Sequence, residues 1–213
     1  MSNRVPGDTP SGVLARIVFI VACCMLTGCA DEPPPLSPLP RDAVILAFGD
    51  SLTRGTGAAN AASYPAVLGD LTGHTVVNAG IPGELSAAGL SRLPGVLAAT
   101  NPQLMILCHG GNDMLRKRNI GQLATNLRAM ITLARQRGVE VVLVGVPRPG
   151  LLLGTAEIYR EIAASMDVPL EADVLADVLG DAGLKSDPIH PNAAGYRVIA
   201  EAVYALLRAA AAL

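Results

Sequence analysis

A chain of 213 residues, 51% hydrophobic and 16% charged, is neither disordered nor fibrous, and one folded domain accommodates it. A net charge of −2 with no basic patch excludes the electrostatics of nucleic-acid binding. Aromatic residues at 3%, with no tryptophan, leave little for stacking bases or sugars. Of the cysteines, Cys23, Cys24 and Cys29 lie near the start and Cys108 stands alone in the body. No disulfide framework can form inside the domain.

The chain opens with Arg4 and Arg16 ahead of an apolar run from Ile17 to Leu26. Crossing a bilayer takes about 20 apolar residues, so this run is too short to span one. It fits the hydrophobic core of an export signal. The run ends in Leu26-Thr27-Gly28-Cys29, which resembles a bacterial lipobox. That resemblance implies cleavage before Cys29 and attachment of lipid to it. Residues 1–28 are then a signal peptide and 29–41 a proline-rich tether, leaving 42–213 as the domain. With Ala30 beside the cysteine, the expected location is the outer membrane, facing the periplasm. An ordinary cleaved signal, giving a secreted or periplasmic protein, fits the same residues.

Strand and helix patterns alternate from Arg41 onward. Strands are expected at 43–48, 75–78, 104–108, 139–146 and 168–171. Helices are expected at 63–71, at 84–99 with a break at Pro94-Gly95, and at 121–137, 156–166 and 191–210. In the 121–137 helix, Leu123, Leu127, Met130, Ile131 and Ala134 share one face. In the closing helix, Tyr196, Ile199, Val203 and Leu206 point inward, and Pro191 takes its first position. This alternation predicts an α/β domain: three α/β/α layers around a parallel five-stranded sheet. Right-handed crossovers bring the loops after strands one, two and three to one edge.

The first strand ends abruptly in Gly49-Asp50-Ser51. Ser51 thus stands just past the carboxyl end of a central strand, where open α/β sheets hold their ligands. A simple capping role for Asp50 or Ser51 fits the same position. Three other loops hold Asn78-Ala79-Gly80, Gly110-Gly111-Asn112-Asp113 and Asp187-Pro188-Ile189-His190. Four blocks in this order resemble the SGNH (GDSL) hydrolase superfamily, nearest its arylesterase, thioesterase and lysophospholipase branch. The resemblance runs from about Ala43 to about Ala205. It implies a flavodoxin-like sheet, Ser51 as nucleophile, and His190 and Asp187 as the other triad members. It also implies an oxyanion hole formed by Ser51, Gly80 and Asn112. After Gly80 that branch often has Gly-Asp-Thr, where this chain has Gly83-Glu84-Leu85. The departure bears on substrate preference rather than on chemistry. His109 is likewise not a residue expected before Gly110-Gly111.

The residue chemistry agrees with that reading. Acyl transfer needs a nucleophile, a base, an orienter for the base and donors for the oxyanion. The chain has three histidines. His74 falls near a strand start, at the wrong end of the sheet, and reads as a surface residue. His109 lies at the correct end, but Asp113 is the nearest candidate to orient it. Asp187 precedes His190 by three residues, with Pro188 stiffening the turn. Gly80 allows close backbone approach, and Asn112 donates without carrying charge.

The expected activity is hydrolysis of a small-molecule ester, thioester or lipid through acyl-Ser51. No metal or organic cofactor is expected, because no His/Cys/carboxylate cluster has ligand spacing. Two other functions remain open: a carbohydrate O-acetylesterase or acetyltransferase of the cell envelope, and a non-catalytic surface lipoprotein. Cys108 reads as filler of the sheet interior. Arg116-Lys117-Arg118 reads as a solvated face, and Leu151-Leu152-Leu153 as a loop that lines an acyl pocket or packs on a helix. Substrate identity and oligomeric state have no signature in the chain.

Overall fold

Five apolar strands form one parallel sheet in the order β2-β1-β3-β4-β5 in the computed structural model, which describes residues 1–3, 32–150 and 154–213. The strands are β1 (Val44–Gly49), β2 (Thr75–Gly80), β3 (Leu104–Cys108), β4 (Glu140–Val144) and β5 (Leu170–Glu171). Nearly every residue of β1, β3 and β4 is buried, as expected of strands covered on both faces. In register, Gly49 pairs with Gly80 on one side and Cys108 on the other. The three strands therefore end level, and their following loops share one edge. The chain reverses its winding direction at β1, which opens a crevice there.

The covering helices follow the expected pattern, with shifts at their ends. They include α1 (Ser51–Arg54), α2 (Tyr64–Thr72), α3 (Ser86–Thr100), α4 (Gly111–Leu115) and α5 (Ile120–Arg135). After β4 come α6 (Glu157–Met166), α7 (Val174–Gly180) and α8 (Ala193–Ala209). The five expected inward residues of α5 are all buried. In α8, Tyr196, Ile199 and Val203 face the core as expected. Leu207 rather than Leu206 completes that stripe, four residues after Val203.

Three elements differ from expectation for physical reasons. A helical turn begins at Ser51 itself, because Asp50 Oδ1 accepts the Leu52 N–H at 3.0 Å. Helix α3 runs unbroken through Pro94. An internal proline costs a helix about 3 kcal/mol; burial of Gly89, Leu93 and Leu97 on one face offsets that cost. Helix α8 starts after Asn192, whose Oδ1 accepts the Gly195 N–H at 3.0 Å, so Pro191 precedes the cap. Helices α4 and α7 are too short to show periodicity.

The tether also ends earlier than expected. A compact unit begins at Pro33, not at residue 42. The Leu36 N–H donates to the Ala210 carbonyl at 2.7 Å and the Leu39 N–H to Ala212 at 2.9 Å. Leu36 is buried and Leu39 packs beside it. A polyproline stretch has three residues per turn, so leucines three apart face one way and dock together. Residues 4–28 of the expected signal peptide and Cys29 lie outside the described residues, and so does Leu151-Leu152-Leu153. Among the described residues, no helix is long and apolar enough to cross a membrane.

Candidate active site

Ser51 is the first residue of α1, on the turn that leaves β1. His190 comes from the far end of the chain, between the 182–184 turn and α8. The two meet: His190 Nε2 lies 3.0 Å from Ser51 Oγ. On the other side, His190 Nδ1 lies 2.7 Å from Asp187 Oδ2. Asp187 Oδ1 accepts the N–H groups of Ile189 at 2.8 Å and His190 at 2.9 Å. Asp-Pro-Ile-His thus folds back on itself and presents its carboxylate to its own imidazole. Partial burial pushes the Asp187 carboxyl up, but the bonds from His190 and Ile189 outweigh it and hold it below the usual range. An ionised Asp187 accepts only, so the proton sits on His190 Nδ1 and the Nε2 lone pair faces the serine hydroxyl.

Asp50 does cap α1, and does more. It is buried, and its second oxygen, Oδ2, accepts a hydrogen bond from Asn112 Nδ2 at 3.2 Å. Burial raises its carboxyl, while His109 and the bonds from Leu52 and Asn112 pull it back. One N–H of the Asn112 amide is held by Asp50, which leaves the other for the crevice. As the first residue of a helix, Ser51 has an N–H without an intrahelical partner.

Gly80 does not join this group. It is the last residue of β2, and its N–H donates to Asn78 Oδ1 at 3.0 Å. Its missing side chain makes room for the Arg54 backbone, a packing role. Gly83 stands on the cavity wall with Ser51, Asn112 and His190. The Glu84 N–H donates to the Ile81 carbonyl at 3.2 Å, and Gly83 has φ +76°. That is a tight turn with Pro82 and Gly83 at its centre, where the second central residue needs positive φ. No bond from the Gly83 N–H to another described residue competes for it. The Pro-Gly pair was the available signal.

His74 sits at the opposite edge, half-buried, with Nε2 3.1 Å from the Pro40 carbonyl. His109 is fully buried and does not line the cavity. Its partner is Glu84, not Asp113: His109 Nε2 lies 3.2 Å from Glu84 Oε2. Glu84 is therefore interior and does not line the cavity, although Gly83 beside it does. Asp113 instead accepts from Ser86 N and Oγ, at 2.9 and 2.7 Å. Cys108 fills the sheet interior, and burial pushes its thiol up.

Ser51 opens into a cavity of about 350 Å³. Leu115, Val146, Leu179, Pro188 and Ile189 give it apolar walls. The arrangement offers an acyl group an apolar slot, with the hydroxyl, the imidazole and free N–H donors at one end.

The GDSL-like Lipase/Acylhydrolase family matches residues 47–198. Esterase TesA of Pseudomonas aeruginosa is 33% identical over 175 residues, covering 77% of this chain and 87% of that protein. The thioesterase 1/protease 1/lysophospholipase L1 of Escherichia coli is 34% identical over 156 residues, covering 70% of this chain and 75% of its own. The crystal structure of TesA superposes with a TM-score of 0.71 at 32% identity, covering 78% of this chain and 99% of that one. Fold and relatives together make this chain a serine ester hydrolase. It belongs to the GDSL-like Lipase/Acylhydrolase family.

Proposed function

We propose that the chain cleaves carboxylic esters or thioesters through an acyl group carried on Ser51. The observation that carries this is the line of three groups, Asp187 to His190 at 2.7 Å and His190 to Ser51 at 3.0 Å. His190 Nε2 takes the hydroxyl proton as Ser51 Oγ attacks the carbonyl carbon. The oxyanion forms against the N–H groups of Ser51 and Gly83 and the Asn112 amide. Collapse breaks the bond to the alcohol or thiol, which leaves with the proton from His190. Water then gives a proton to His190 and attacks the acyl-serine, and the second collapse frees the acid and returns the proton to Ser51. Asp187 holds the imidazole in the right tautomer and stabilises the imidazolium that forms.

The apolar walls favour acyl groups longer than acetyl, which ranks ester, thioester and lysophospholipid substrates above acetylated polysaccharide. The lipobox-like Leu26-Thr27-Gly28-Cys29 supports attachment to the cell envelope through lipid on Cys29. A panel of p-nitrophenyl esters, acyl-thioesters and lysophospholipids assayed with wild type and Ser51→Ala tests the chemistry. Loss of turnover in a folded Ser51→Ala protein is the expected result; retained turnover removes the nucleophile assignment. Retention of a Cys29→Ser variant in the membrane fraction would remove the anchor.

A further inference from the structure

A polar cluster beside the cavity is built on Glu84. Arg92 Nε lies 2.7 Å from Glu84 Oε1, and Arg92 Nη2 lies 2.7 Å from Oε2. His109 approaches the same Oε2 at 3.2 Å. The Arg92 Nη2 also donates to the Ala79 carbonyl at 2.8 Å and to Gly49 at 3.3 Å. Its guanidinium lies 4.1 Å from the centre of the Phe48 ring. Helix α3 leaves a gap for the imidazole, since a Cβ on Gly89 would stand 2.5 Å from His109 Nε2.

A buried ion pair is weak grounds for stability, because apolar residues of equal volume often serve as well or better. Its cost is visible here: His109 Nδ1 is buried without a hydrogen-bond partner among the described residues. The placement points to another role. Gly49 lies two residues before Ser51. Glu84 directly follows Gly83. His109 lies three residues before Asn112. One carboxylate and one guanidinium thus touch all three segments that carry an oxyanion donor.

We propose that Glu84 and Arg92, supported by His109, are positioning residues that hold the N–H donors of Ser51, Gly83 and Asn112 in register. This rests on the acyl-Ser51 reading above. None of the three residues lines the cavity. The cluster fixes the ends of β1, β2 and β3 against the turn at Gly83, so the three donors converge on one point. A second clamp, Asp113 on Ser86, ties the start of α3, just after that turn, to α4 and is independent of the first. Geometry at this scale matters, since a donor displaced by about 1 Å can cost a hundredfold in rate.

The test compares wild type, Glu84→Gln, Arg92→Lys, His109→Leu and His109→Gln on p-nitrophenyl butyrate. Turnover is expressed per active site titrated with a fluorophosphonate, and thermal melts verify folding. Glu84→Gln and Arg92→Lys should lower kcat per titrated site ten- to hundredfold, with KM changed by less than about twofold. His109→Leu should lose several-fold, and His109→Gln, which keeps a donor for Glu84, should recover most of it. A merely structural role would reduce the number of titratable sites, not the rate at each. Folded Glu84→Gln and Arg92→Lys proteins with wild-type kcat per site would overturn the proposal while leaving the hydrolase intact. Should Glu84→Gln fail to fold, Arg92→Lys decides alone. A wild type that neither turns over ester nor labels would remove the hydrolase reading itself.

Discussion

Asp50 and Asn112, 62 residues apart, are joined by a hydrogen bond of 3.2 Å from the amide nitrogen to the carboxyl oxygen. The residue just before the proposed nucleophile thereby orients a proposed oxyanion donor. Asp50→Ala removes the acceptor, frees the Asn112 amide to rotate and uncaps α1. We expect kcat to fall about tenfold or more, with a loss of roughly 1 kcal/mol from the cap. Steady-state kinetics and a urea melt on the same preparation check both.

Gly80 and Gly83 make a paired prediction. Gly83→Ala strains a residue at φ +76° on the cavity wall and shifts the N–H proposed to meet the oxyanion. It should lower kcat ten- to hundredfold with a modest stability cost of about 1 kcal/mol. Gly80→Ala has no space for its methyl beside the Arg54 backbone. That variant should instead lose stability by several degrees and lose activity only as folded protein is lost. Kinetics normalised to titrated sites separates the two; equal kcat per site in Gly83→Ala and wild type would return the donor role to another group.

The difference between these glycines marks how far sequence reading reaches. Strand alternation and the Asp-Pro-x-His spacing are local features, and both point to the edge of the sheet where Ser51, His190 and Asp187 meet. The resemblance points to Gly80 as donor, but β2 continues through Gly80 and its N–H is taken by Asn78, so the proposed donor is Gly83, three residues on. Periodicity cannot locate a strand end inside a run of small residues. Glu84 was hidden for another reason. Its partners Arg92 and His109 lie 8 and 25 residues away, and no local pattern encodes such a pairing. Leu36 and Leu39 were masked by the prolines around them, which made a docked segment read as a spacer.

That docked segment can be tested directly. Leu36 is 7% exposed and belongs to the main core, so Leu36→Ala should cost about 2 kcal/mol. For a unit of this size, Tm should fall by about 4–8 °C, with kcat and KM unchanged because the site lies elsewhere. A Tm within 1 °C of wild type would restore the tether reading for residues 33–41.

Acid stability provides the last prediction. Burial raises the Glu84 carboxyl, but hydrogen bonds from His109 and Arg92 outweigh it and bring it from 4.5 down to about 2. A carboxyl depressed on folding stabilises the native state fully above its unfolded value. That contribution is lost as pH falls from about 4.5 through about 2, where the folded form takes up its proton. The full depression corresponds to roughly 3 kcal/mol, an upper figure for a pair with one partly exposed member. Asp187, also held low, adds a smaller effect of the same sign. Urea melts from pH 5 to pH 2 should therefore show a steep decline in wild type. Glu84→Gln starts less stable but should decline more gently, because its amide has no proton to bind. Parallel curves for the two proteins would show that Glu84 ionises alike in folded and unfolded chains, and that its bonds to Arg92 and His109 contribute no net stability.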